Sequence, residues 1–159
     1  MDPHYFHAGA IGGPPSPVDP IIPEILPKGQ LNKRSLKKIF DEDGPEAFAK
    51  AVRQNDGLLV TDTTWRDAHQ SLLATSLRTI DILNIAEATT VALSNAYSLE
   101  NWGGATFDVA LRFLKECPWD RLAMMREAVP DIPFQMLLRG ANAVGYTSYP
   151  DNLVYEFCK

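Results

Sequence analysis

The chain has 159 residues, a hydrophobic share of 45% and a charged share of 22%, which is typical of one ordinary globular domain. Its formal net charge of −5 and its pI near 5.1 argue against a surface that binds nucleic acid. No apolar run approaches the roughly 20 residues of a membrane-spanning helix, and the first residues lack a secretory or transit signal. We therefore expect no membrane partner and a cytoplasmic location, or the mitochondrial matrix if a leader is missing.

The first part of the chain is predicted to be a linker followed by short helices. Proline and glycine are so frequent in residues 1–30 that we expect a disordered linker. Residues 31–57 form a predicted helical lead-in, which restarts at Gly44-Pro45 with a helix over about 45–54. A basic cluster overlaps this region: Lys28, Lys33, Arg34, Lys37 and Lys38. It is either a patch for anionic surfaces or a solvated helix face, and the acidic residues directly after it favour the second reading.

Residues 58–159 alternate short apolar runs with amphipathic stretches. Strands are predicted at 58–61, 97–102 and 134–138. Helices are predicted at 79–96, at 106–114, from 118 onward and at 152–157. The first has Ile82 and Ile85 along its apolar side, and the helix from 118 has an apolar stripe of Leu122, Met125 and Val129. Strands that are each followed by a helix predict a parallel α/β arrangement. Because three parallel strands leave an open edge, the segment is either a small open sheet or the first part of a larger barrel.

Polar residues follow each predicted strand. They are Arg66, Asp67 and Gln70 after the first strand, Glu100, Asn101 and Trp102 at the second, and Arg139 and Asn142 after the third. The carboxyl ends of parallel strands meet at one edge, where α/β proteins bind ligands. We therefore expect a site there, with residues 60–71 as a polar loop leaving the first strand.

The residue types suggest what this site could bind. Arg66 and Arg139 suit two-point capture of a small carboxylate, although both could instead bond backbone at the strand ends. Asp67 suits a divalent metal, and the alternative is a salt bridge or a turn. His69 is interpreted as structural rather than as a base. The three tryptophans are expected in the core rather than on a stacking surface.

Four motifs in residues 58–159 are specific enough to indicate a family. They read TDTTWRDAHQS at 61–71, ENWGGATFD at 100–108, ECPW at 116–119 and PFQMLLRGAN at 133–142. In this order they resemble the opening of the carboxyltransferase domain of the pyruvate carboxylase family. The segment at 44–53, GPEAFAKAVR, is similar to the one that precedes that domain.

The resemblance implies a fold and a reaction. It implies that residues 58–159 are the first three βα units of an incomplete TIM (β/α)8 barrel. It also implies transfer of a carboxyl group from carboxybiotin to pyruvate, which yields oxaloacetate. Biotin would be carried by a separate carrier domain, ATP would be used by another domain outside this chain, and the parent enzyme would be a homotetramer.

The resemblance also assigns roles to residues. Asp67 would bind the divalent metal, Zn or Mn, whose other ligands, a carboxylated lysine and two histidines, would lie downstream of this chain. Three residues would hold pyruvate and its enolate: Arg66, Gln70 and Arg139. Asp108 and Tyr146 would lie near the biotin end of the pocket.

Other functions remain open from the sequence. The segment alone is expected to be inactive, since three of eight units cannot close a barrel. It could instead be a noncatalytic truncated product that pairs with the full-length enzyme. Oxaloacetate decarboxylase and transcarboxylase have carboxyltransferase subunits that share the first motif, but Ala141 within Arg-Gly-Ala-Asn favours pyruvate carboxylase.

Overall fold

The computed structural model describes residues 34–72, 77–143, 145 and 147–159. The predicted linker at 1–30 and the candidate residue Tyr146 lie outside these ranges. The helices are α1 (Leu36–Arg53), α2 (Thr64–Asp67), α3 (Thr79–Ala92), α4 (Gly104–Val109), α5 (Pro118–Ala128) and α6 (Asp151–Cys158), and the strands are β1 (Thr61–Asp62), β2 (Ser98–Gly103) and β3 (Phe134–Leu137). Within the described ranges, no helix is long and apolar enough to cross a membrane.

The three strands form one parallel sheet in the order β1-β2-β3. Thr61 is in register with Ser98, and at the other end of β2 Gly103 is in register with Leu137. The predicted α/β class with parallel strands is therefore confirmed. All three strands point their carboxyl ends toward the same edge of the sheet, which is where the candidate site residues follow.

The core lies between one face of the sheet and helices α3 and α5. It consists of Trp65, Ile82, Ala86, Leu99, Met125, Val129 and Ile132. The predicted apolar stripe of α5 is confirmed at Met125 and Val129, which are fully buried. The expectation of burial is wrong for Ile85 and Trp119, which are 47% and 51% exposed, because they lie on the outer sides of α3 and α5.

The first strand is shorter and more exposed than predicted. Leu58 is 90% exposed and Val60 is 53% exposed, so the run from 58 to 60 is not a buried strand. Pairing with β2 is confined to Thr61 and Asp62, and before them only the Tyr97 N–H reaches the Val60 carbonyl, at 2.8 Å. The apolar run was misleading because only Leu59 of its three residues is even partly buried.

Helix α1 bends where the sequence predicts a restart. Gly44 has φ +85°, a conformation that side-chain-bearing residues rarely adopt, and Pro45 begins the second half. In this second half Phe48 stacks on Tyr97, just before β2, with ring centroids 6.1 Å apart. The basic residues at the start are paired: Arg34 with Glu42 and Asp43, Lys37 with Asp41, and Lys38 with Asp131. This pairing favours the reading as a solvated helix face.

Candidate functional site

The segment after β1 is helical, so the prediction of a polar loop is wrong. Helix α2 continues into a π-helical turn over Ala68–Leu72. The Asp62 carboxylate accepts the backbone N–H and the hydroxyl of Thr64, each at 3.0 Å, which ties down the first turn. Trp65, Ala68 and His69 are buried together. Their spacing of i, i+3 and i+4 is the helical signal that the many polar neighbours concealed.

The helical conformation brings two predicted site residues, Asp67 and Gln70, against the guanidinium of a third, Arg66. Arg66 donates from Nη1 to Asp67 Oδ1 at 3.0 Å and to Gln70 Oε1 at 3.1 Å. On its other side, Nε is 2.8 Å and Nη2 is 2.7 Å from Glu100 Oε2, on β2. From the sequence, Glu100 was identified only as a polar residue at the end of a strand. Its contact with Arg66 could be recognised only from the structure. The cluster thus joins α2 to the carboxyl end of the central strand.

The guanidinium of Arg66 is almost fully engaged within the protein. An arginine has five N–H donors; among the described residues three of them make hydrogen bonds and Nη2 also lies 2.7 Å from Glu100 Oε2, which leaves one N–H of Nη2. Arg66 in this arrangement therefore offers one donor to a ligand, which differs from the two-point capture expected from the sequence. Any second donor must come from another residue.

Asp67 is placed to contribute one oxygen to a cation. Its Oδ1 accepts from Arg66 and from the Ser71 hydroxyl, at 3.0 and 3.1 Å, and neither bond involves Oδ2. The side chain as a whole is 38% exposed. No group of three or more His, Cys, Asp or Glu residues converges on a metal site in the part of the chain that the structure describes. The described residues fit a single carboxylate ligand, because hard divalent cations take oxygen donors.

Arg66 and Arg139 lie at the same edge of the sheet. A Cβ added to Gly103 would stand 3.3 Å from Arg66 Cγ and 3.3 Å from Leu137 Cβ, so the Arg66 stem lies against the end of β2, which pairs with the end of β3. Arg139 follows Leu137, the last residue of β3, by two positions and is exposed.

Asp108 is held separately from this cluster. It lies on α4 and accepts from Nε of Arg112 at 3.0 Å. The geometry therefore gathers Arg66, Asp67 and Gln70, places Arg139 at their edge of the sheet, and leaves Asp108 in a different ion pair.

His69 belongs to a buried polar contact behind the site. Its Nε2 lies 2.9 Å from the Leu77 carbonyl and 3.1 Å from Nη2 of Arg121. Burial lowers the pKa of His69, and the charge of Arg121 lowers it further. This setting favours the structural interpretation. Arg121, which is 1% exposed, was not among the predicted site residues, although its position four residues before Met125 places it in the buried stripe of α5.

The same segment is found in known carboxylases. Pyruvate carboxylase of Aspergillus terreus is 72% identical over 126 residues, which are 79% of this chain and 11% of that protein. The carboxyl transferase domain of Rhizobium etli pyruvate carboxylase, solved with oxamate and biotin, superposes with a TM-score of 0.72 at 57% identity, over 79% of this chain and 21% of that one. The matched segment is a homologue of the pyruvate carboxylase carboxyltransferase domain. No family model matches the chain.

The match to mammalian relatives covers more of this chain than the match to the Aspergillus terreus protein. The rat protein, named a mitochondrial pyruvate carboxylase, is 56% identical over 165 residues, which cover 98% of this chain and 14% of that protein. The chain therefore spans about one seventh or less of the length of these curated relatives.

Proposed function

We propose that this chain forms the pyruvate-binding part of a biotin-dependent carboxyltransferase, which moves a carboxyl group from carboxybiotin to pyruvate and yields oxaloacetate. One observation carries the proposal: Arg66, Asp67 and Gln70 form one hydrogen-bonded cluster at the carboxyl edge of the sheet. The cluster lies in a chain that is 72% identical, over its matched residues, to a pyruvate carboxylase.

The cluster suits the charge that develops in this reaction. Removing a methyl proton from pyruvate places negative charge on the enolate oxygen, and fixed cationic donors lower the barrier to that step. Arg66 would donate its remaining N–H of Nη2 to this oxygen, and the exposed Arg139 would bind the carboxylate. Gln70 would keep its amide oxygen on Arg66 and present its amide N–H to the substrate.

Asp67 and two further residues complete the proposed site. Asp67 Oδ2 would hold a divalent metal, Zn or Mn, which when bound acts as a Lewis acid toward the keto oxygen. Asp108 and Tyr146 would lie toward the biotin end. In the whole enzyme, a carrier domain would present carboxybiotin, a separate domain would use ATP, and the subunits would form a homotetramer. The cytoplasmic location remains a prediction. The rat relative is named a mitochondrial protein, which agrees with the alternative location in the mitochondrial matrix.

We further propose that residues 58–159 are the first three βα units of a TIM barrel and that the isolated chain is inactive. Support comes from the sheet, in which the outer edges of β1 and β3 carry no partner strand within the described residues. An eight-stranded barrel pairs every such edge. The isolated chain, supplied with oxaloacetate, free biotin as the carboxyl acceptor and Mn²⁺, should release no pyruvate above the uncatalysed rate, and biotin-dependent release would contradict this part of the proposal.

A chimeric enzyme tests the proposed function directly. The 126 matched residues of this chain would replace their counterpart in the Aspergillus terreus enzyme, and oxaloacetate would be measured by reduction to malate with NADH. We expect the chimera to be active and the Arg66→Ala chimera to lose about 100-fold or more in turnover, as for other lost transition-state donors. A folded chimera without activity, or an Arg66→Ala chimera of unchanged activity, would refute the proposal.

The same open edges support a second candidate function. A noncatalytic short product could pair through the outer edge of β3 with a full-length subunit, since an unpaired strand edge is a template for another chain. The tagged 159-residue chain would be expressed with the full-length enzyme. Co-purification at a fixed ratio would support this candidate, whereas a chain that elutes alone would count against it.

A further inference from the structure

The carboxylate of Glu100 lies outside the proposed substrate contacts but binds the guanidinium of Arg66. It lies in the middle strand of the sheet and is 4% exposed. A buried carboxylate is strongly unfavourable unless it is paired and hydrogen-bonded. The cation that pairs with it here is Arg66, through both Nε and Nη2.

The contacts of Glu100 fix the plane of the Arg66 guanidinium. Nε and Nη2 lie on one edge of the planar group, and both point at the single oxygen Oε2 at 2.8 and 2.7 Å. Asp67 and Gln70 hold the opposite nitrogen, Nη1. With its two sides held by different elements, the guanidinium has one orientation, and that orientation decides where its remaining N–H points.

The missing side chain of Gly103, three residues after Glu100, leaves space for the methylene groups of Arg66. A Cβ on Gly103 would come within 3.3 Å of Arg66 Cγ, which is tighter than ordinary van der Waals contact. Glu100 and Gly103 therefore act from the same strand, one by binding the guanidinium and the other by leaving space for the methylene groups.

Glu100 also balances charge within the cluster. Arg66 contributes one positive charge, while Glu100 and Asp67 contribute one negative charge each, and the sum is −1. Without Glu100, the full charge of Arg66 would act on Asp67 alone and would compete with a cation for it.

We infer that Glu100 is a positioning residue for the proposed reaction: it orients Arg66 so that one N–H faces pyruvate, without touching the substrate itself. The inference rests on the proposed function. Residues that hold such groups in place commonly change activity by about 10- to 100-fold when they are replaced. The effect should appear in both substrate affinity and turnover, because the remaining N–H serves the bound ketoacid and its enolate.

The test uses the chimeric enzyme with Glu100→Gln, which keeps the size of the side chain and removes its charge. We expect kcat to fall by about 10- to 100-fold and the affinity for oxamate, measured by calorimetry, to fall in the same preparation. Asp81→Asn is the matched control, since Asp81 also binds an arginine, Arg78, through two nitrogens, at 2.8 and 3.0 Å. That control should leave both kcat and oxamate affinity within about twofold.

A double-mutant cycle distinguishes positioning from a general structural role. Arg66→Lys keeps the charge but removes the planar fork, so adding Glu100→Gln to it should cost no further turnover. Independent losses that multiply would overturn the inference. So would an Asp81→Asn chimera that loses as much as Glu100→Gln, since the effect would then be one of stability.

The outcomes separate this inference from the proposed function. An active chimera whose Glu100→Gln variant is unchanged in kcat and oxamate affinity overturns the inference alone. A folded but inactive unsubstituted chimera overturns the proposed function and the inference with it. If Glu100→Gln does not fold, Glu100→Met fills a similar volume without charge or acceptor, and the same losses are expected from it.

Discussion

Replacement of Glu116 by alanine should destabilise the fold through a contact between distant parts of the chain. The Glu116 carboxylate accepts the backbone N–H of Thr79, the first residue of α3, at 3.1 Å, and also accepts its hydroxyl. It lies 3.8 Å from Nη1 of Arg121, whose side chain is fully buried. Glu116→Ala therefore removes both a helix cap and the nearest counter-charge of a buried cation.

The expected loss follows from these two contacts. Leaving the donors of Thr79, which is 7% exposed, without an acceptor costs about 1–3 kcal/mol. The ion pair with Arg121 is long, and Glu116 is 21% exposed, so it adds about 1 kcal/mol at most. Together the free energy of unfolding should fall by about 1–4 kcal/mol, a large part of the stability of a small domain.

Urea denaturation of the 159-residue chain at pH 7, followed by far-UV circular dichroism, measures this loss. Glu116→Gln is the matched control, because its amide oxygen still accepts from Thr79 while the charge is gone. Its loss should be about 1 kcal/mol. A Glu116→Ala variant within about 0.5 kcal/mol of the parent, at an unchanged slope against urea, would refute the assigned role of Glu116.

The hydrogen bond from Arg78 lowers the pKa of Asp81, so the Asp81→Asn chain should have a lower free energy of unfolding than the parent at pH 7. The difference should vanish as the pH falls below about 4, where the carboxylate of the parent becomes protonated. A difference that does not change with pH would contradict this. Ile82→Ala, at a fully buried position, should cost about 2–5 kcal/mol in the same urea experiment, whereas a cost below about 1 kcal/mol would mean that α3 does not pack as described. Iodide should quench mainly the fluorescence of Trp119, which is 51% exposed, and little of that of Trp102, which is 2% exposed. Trp119→Phe should therefore remove most of the quenching. Equal quenching after the substitution would contradict the burial of Trp102.

Much of the site could be predicted because its chemistry is local in the sequence. Arg66, Asp67 and Gln70 lie within five positions of one another, and any helical or looped backbone keeps such residues close. Their motif resembled a carboxyltransferase family, and the relatives of the chain are pyruvate carboxylases. The partner of Arg66 could not be found in this way. Glu100 is separated from it by 34 positions, and only the pairing of strands brings the two together.

The sequence alone determined the order of the three strands and of the helices other than α2, the restart at Gly44-Pro45 and the apolar stripe of α5, since each of these depends on residue periodicity or on backbone preferences. Tertiary structure decided the rest. It left Leu58 and Val60 exposed and Leu59 only partly buried, and it buried Arg121 against His69, because the stripe of α5 faces the site segment. It also turned Arg66 from a free two-point clamp into a group with one remaining donor, because hydrogen bonds to Glu100, Asp67 and Gln70 depend on three-dimensional proximity.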